Sequence, residues 1–110
     1  MSYDPNKSQI NEDTLAAFLQ DELQAELTSV PGVGPASKEL LLHEGIHTTF
    51  QLLGKYCSFV GENKAMTPQN RMFYWFKSIG ISAHRNTIIT ALSEKTSILL
   101  PELDTYVSSE

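Results

Sequence analysis

Val30-Pro31-Gly32-Val33-Gly34-Pro35, followed by Ala36-Ser37-Lys38-Glu39-Leu40-Leu41-Leu42, is the stretch whose reading decides the fold. Two glycines bracket one apolar residue, and a proline stands on each side. Glycine permits a positive φ and a close backbone approach. Proline at Pro35 suits the first turn of a helix, where its missing N–H is one of the donors left without a partner anyway. The stretch therefore reads as a tight hairpin between two helices, an acidic helix-patterned segment leading into it and a leucine-rich helix leaving it. Backbone N–H groups at a helix start, beside glycines that leave room, favour an anion, and a phosphate is the obvious one.

Working outward, apolar residues at Leu15, Phe18, Leu19, Leu23 and Leu27 recur at helical spacing and predict helix one over about 12–27, capped by Asn11. Helix two is expected over about 36–44, with Gly45 as its left-handed exit and Ile46 as the apolar contact after it. Thr48 or Thr49 should open helix three, about 49–59, with Gly54 inside it as a kink or a point of close helix approach. Residues 60–66 read as a loop. Thr67-Pro68 reads as an N-cap followed by proline at the first helical position, opening a fourth helix that ends at Gly80. On it Met72, Trp75, Phe76 and Ile79 share the expected buried face, while Phe73 and Tyr74 point elsewhere, either into a wide core face covered by neighbouring helices, the favoured reading, or into an apolar patch for a partner or second subunit. Ser82 is expected to cap helix five, about 83–96, and Pro101 ends any helix before it. The expectation is an all-α, compact bundle of about five short helices. Residues 11–103 form a single domain between a flexible N-terminus, 1–10, and a flexible tail, 104–110.

At 110 residues the chain has the length of one domain, and 41% apolar composition can fill its core. No run of about 20 apolar residues predicts a membrane span. The one cysteine, Cys57, excludes an internal disulfide and reads as a structural thiol, which makes an intracellular setting, nuclear or cytoplasmic, the expectation. The net charge is −5, unevenly spread. Residues 31–95 carry seven Lys and Arg against four acids, a net of +3, whereas the flanks carry Lys7 against nine acids, a net of −8. The acidity is thus a property of the ends, and the central region is mildly basic.

These elements resemble the helix-hairpin-helix motif, and the stretch from Val30 to Lys95 is similar to the barrier-to-autointegration factor family, small SAM-like chromatin proteins. The resemblance rests on Gly32-Val33-Gly34, the Glu44-Gly45-Ile46 exit, Phe50, Leu53-Gly54, Trp75-Phe76-Lys77 and Ser82-Ala83-His84-Arg85. It implies sequence-independent binding of double-stranded DNA, homodimerisation, DNA bridging and protein partners at the nuclear envelope. It also implies two phosphate contacts per subunit, one from Gly32, Val33, Gly34 and Ala36 with Lys38, the other from Ala83, His84 and Arg85 at the start of helix five. Such contacts hold the sugar-phosphate backbone without reading base sequence.

Catalytic, cofactor and metal chemistry find no pattern. His43 and His47 are four apart, but Gly45 interrupts the helix between them, and no nucleophile sits beside a base. The expected function is non-enzymatic. The alternative is a protein-protein interaction module on the same scaffold, using helix three or Phe73 and Tyr74. It is favoured by the overall acidity and by Glu39 and Leu40, where the family carries basic residues.

Overall fold

Asn11, Thr48 and Thr67 stand where three helices begin, and each caps its helix with a side-chain oxygen. Asn11 accepts from the amides of Asp13 and Thr14 at 2.7 and 3.3 Å. Thr48 and Gln51 exchange hydrogen bonds, each side chain accepting at 3.1 Å from the other's backbone N–H. Thr67 accepts from Asn70 N at 3.2 Å. The computed structural model describes residues 2–61 and 66–102, so part of the expected 60–66 loop and all of the expected 104–110 tail lie outside the described residues. Five α-helices follow one another: α1 (Glu12–Gln20), α2 (Pro35–His43), α3 (Thr49–Ser58), α4 (Pro68–Ser78) and α5 (Arg85–Leu99). Single 3-10 turns lie at Pro5–Lys7 and Leu27–Ser29, and the described residues contain no strand.

α2 and α4 close by the same device. Gly45 N donates to Leu42 O and Ile46 N to Leu41 O, at 3.0 and 2.9 Å. Gly80 N donates to Lys77 O and Ile81 N to Phe76 O, at 3.2 and 2.9 Å. Each glycine has a positive φ, and the residue after it turns an apolar side chain back onto the core. α5 is the spine. Its Ile88, Ile89, Ala91 and Leu92 are buried, and it packs against α1, α3, α4 and the Pro5–Lys7 turn. Leu27, Leu41, Leu52, Met72, Phe76 and Ile81 complete the fully enclosed part of the core.

The structure departs from sequence expectation at several places, among them α5, which runs to Leu99 and past the expected 96. α1 stops at Gln20, well short of Leu27. The reason is Lys95, which is 3% exposed and whose ammonium donates to Phe18 O, Leu19 O and Asp21 O at 2.9, 2.9 and 2.7 Å. Its three N–H bonds take the carbonyls at the end of α1 and are all used in doing so. The chain then turns away, and Leu27 reaches the core from its own 3-10 turn, capped at Thr28 N by Glu26.

The segment 1–10 is not loose where it is described. Tyr3 N donates to Asn70 Oδ1 at 3.0 Å, Asp4 N to Asn86 Oδ1 at 2.9 Å and Gln9 N to Thr87 Oγ1 at 3.0 Å, while the Tyr3 and Thr90 hydroxyls lie 2.8 Å apart. Polar side chains on α4 and α5 thus supply the acceptors that this short, mostly polar segment lacks internally. α5 begins at Arg85 with His84 as its N-cap, so Ser82 caps nothing. The closing turn of α4 uses the chain up to Ile81, and Ser82 and Ala83 span to the next helix. Phe73 is buried at 2% and Tyr74 is 41% exposed, while Trp75 and Ile79 are half-buried. Phe73 thus follows the wide-core reading and Tyr74 does not, and the Arg85 guanidinium of α5 lies 4.5 Å from the Phe73 ring centre.

Gly54 lies on the exposed side of an uninterrupted α3, and a Cβ there would meet nothing within 4 Å. It is neither a kink nor a point of close approach within this chain. Gly54→Ala is expected to raise stability by about 1 kcal/mol, the helix propensity difference, in urea denaturation. Lys95→Met is expected to lower it by about 3 kcal/mol, because three part-buried carbonyls at the end of α1 lose a charged donor, and to reduce helix content as α1 unwinds in circular dichroism.

Candidate phosphate-binding surface

Val30, at 1% exposure, and Val33, at 6%, plug the hairpin into the core, and Val33 N closes the turn on Val30 O at 3.0 Å. Between them Gly32 adopts φ +92, a left-handed conformation that side chains resist. It is also pressed against α5. A Cβ on Gly32 would fall 2.8 Å from Ile88 Cγ1 and 3.3 Å from both His84 Cβ and Thr87 Cγ2. This contact sets the hairpin directly beside the start of α5.

Gly34 is different. It is the N-cap of α2, its φ of −98 suits any residue, and a Cβ there would meet nothing within 4 Å. Pro35 contributes no N–H, Ala36 is exposed, and the first α-helical bond runs from Lys38 N to Gly34 O at 2.9 Å. No side chain caps this helix, and none caps α5, where exposed His84 takes φ +60 as N-cap and the first bond runs from Ile88 N to His84 O at 3.0 Å. The other three α-helices carry side-chain caps. The two uncapped helix starts are therefore the two that Gly32 brings together.

The charges around them are mostly engaged. Lys38 Nζ sits 2.8 Å from Glu26 Oε1, and that hydrogen bond holds the Glu26 carboxyl below its ordinary value. Arg85, half-buried over Phe73, donates to Ile81 O at 3.4 Å and braces the turn before α5. Ala83 is exposed beside it. Elsewhere Lys55 lies over the Phe59 and Trp75 rings at 5.2 and 4.9 Å, Arg71 lies over Phe59 at 5.3 Å, and Lys95 is consumed by α1. Among the described residues, Lys38, Lys55, Arg71, Arg85 and Lys95 are thus each held by a different local partner. A cation that sequence reasoning placed in a loose terminus joins the site instead. Lys7 lines a depression with Ser82, His84, Arg85 and Asn86 at the start of α5. A neighbouring cleft is lined by Gln9, Asn11 and Thr14 on one side and Pro31, Gly32 and His84 on the other. Thr87 joins the two halves, accepting from Gln9 N and touching Gly32. No linear pattern connects residues 78 apart, and no sequence signal marks Lys7, Glu26 or Thr87 for these positions.

His43 stands exposed 3.9 Å from Glu39, and among the described residues no three His, Cys, Asp or Glu gather as metal ligands. Burial pushes the Cys57 thiol up, away from the reactive thiolate. No described helix is long and apolar enough to cross a membrane. No known family, curated protein or solved structure matches this chain.

Gly32→Ala is expected to destabilise by about 2 kcal/mol or more, since strained φ and a sub-van-der-Waals contact act together. Thermal denaturation of this variant beside Gly34→Ala, which meets open space, separates the two glycines.

Proposed function

We propose that the chain binds double-stranded DNA through its phosphates, without reading base sequence and without catalysing a reaction. The observation that carries this reading is the pairing of the two uncapped helix starts at the Gly32 contact. Each offers backbone N–H groups and the positive end of a helix dipole, the arrangement that suits a phosphate oxygen. Gly34 keeps the approach to α2 open, and Lys7, His84 and Arg85 stand at the approach to α5. Two anion sites side by side match the repeating charge of a nucleic-acid strand better than a lone small anion. Duplex DNA is the ligand that the resemblance to barrier-to-autointegration factor implies.

The reading that this scaffold serves protein partners instead loses one of its residues, because Phe73 is buried. It retains Tyr74, 41% exposed, and Phe50 on α3, 54% exposed.

Gly34→Asp tests the DNA reading without unfolding the protein. Aspartate is a better N-cap than glycine by a few tenths of a kcal/mol, and the structure has room for it, so the melting temperature should hold or rise slightly. Its carboxylate would take the α2 amides and repel phosphate. Fluorescence anisotropy against a random-sequence duplex should show wild-type binding that weakens steeply between about 50 and about 200 mM salt, and none for the variant. Equal binding by the two proteins would remove the hairpin from consideration.

A further inference from the structure

The N-terminal part of the chain is acidic, with Asp4, Glu12, Asp13, Asp21, Glu22 and Glu26 against Lys7. The structure does not let this charge drift away from the surface described above. Hydrogen bonds from Tyr3, Asp4 and Gln9 strap the segment to α4 and α5, and the Lys95 clasp fixes the far end of α1. Between these anchors, Gln9, Ile10, Asn11 and Thr14 form one wall of the cleft whose other wall is Pro31, Gly32 and His84. Past Pro31, a second depression brings Asp13, Asp21 and Glu22 alongside the hairpin. Glu26 then reaches α2 and takes Lys38, the basic residue of the α2 first turns, at 2.8 Å.

We infer that this acidic segment is a built-in restraint on phosphate binding: Glu26 withholds Lys38 from the ligand, and Asp13 and Glu22 set a repelling field beside the hairpin. The inference rests on the DNA reading proposed above. Glu26 is exposed and Lys38 half-buried at the surface, so breaking the pair demands modest free energy, and a phosphate can compete with the carboxylate for the same ammonium. The restraint therefore tunes affinity and salt sensitivity and leaves the fold unchanged. Any agent that draws the acidic segment or Glu26 away would release it, a basic partner surface being the chemistry that fits.

The test uses the full chain and a random-sequence duplex probe, titrated by anisotropy at several salt concentrations. The proteins are wild type, Gly34→Asp, Glu26→Gln, Glu26→Gln with Lys38→Met, and Asp13→Asn with Glu22→Gln. Glutamine keeps the oxygen that caps Thr28 N, so Glu26→Gln leaves the local turn intact. Release of Lys38 should tighten binding on the order of fivefold at about 50 mM salt and steepen the slope of log affinity against log salt by about 0.9, one added phosphate contact. Adding Lys38→Met should cancel both effects. The Asp13, Glu22 variant should tighten binding without that full change in slope. If wild type binds, Gly34→Asp does not, and Glu26→Gln matches wild type, the restraint is wrong and the DNA reading stands. A gain in Glu26→Gln that survives Lys38→Met overturns the role given to Lys38. Binding by the acid-neutralised variants alone supports a restraint strong enough to mask the site. Absence of binding in every protein overturns the DNA reading and the restraint with it.

Discussion

The contact of Gly32 with α5 is the constraint on which the arrangement of this protein turns. A backbone without a side chain, held at φ +92, lies against Ile88, Thr87 and His84. Any Cβ there would push the hairpin off the spine of the bundle. Because the approach is so close, the start of α2 and the start of α5 share one surface, and Val30 and Val33 lock the turn into the core from behind. Gly34, two residues on, carries no such burden. The two glycines of one short motif thus divide the work: the first sets the geometry, and the second leaves the space in front of α2 open.

The buried ammonium of Lys95 organises the other half of the molecule. α1 buries none of its residues fully, so its apolar face alone holds it weakly. Three charge-assisted hydrogen bonds to its last carbonyls tie it to α5, and they account for its early end. With α1 fixed, its carboxylates are fixed too, and the acidity that looks like a property of the chain ends becomes a local field beside the hairpin. Of the cations in the central region, Lys38 is paired with a carboxylate, Lys55, Arg71 and Arg85 lie over aromatic rings, and Lys95 is buried on the carbonyls of α1, so most are held in place by the fold.

Much of the helical architecture was legible in the residues themselves. Asn11, Thr48 and Thr67-Pro68 mark helix starts by short-range hydrogen bonding, and Gly45-Ile46 and Gly80-Ile81 mark helix ends by the backbone conformations that glycine allows. The Gly32 turn and the helix after Gly34 were legible for the same reason, but the helix expected to lead into the turn stops at Gln20, and only the 3-10 turn at Leu27–Ser29 precedes it. What misled was period without context. Leu23 and Leu27 continue the spacing of α1, yet Leu27 reaches the core from a separate turn. Ser82 resembles a cap, yet the helix begins past it. Tyr74 falls within the expected wide core face, yet it is 41% exposed.

The sequence by itself determined the all-helical class, most helix starts and the glycine turn that enters α2, because these depend on interactions within a few residues of the chain. Only the tertiary structure decided where α1 stops, that the N-terminal segment lies along α4 and α5, that Lys7 faces His84 and Arg85, and that Glu26 holds Lys38. Each of these depends on a polar or charged group finding its partner far along the chain. Such pairings follow from the packing of the helices, and neither composition nor periodicity encodes them.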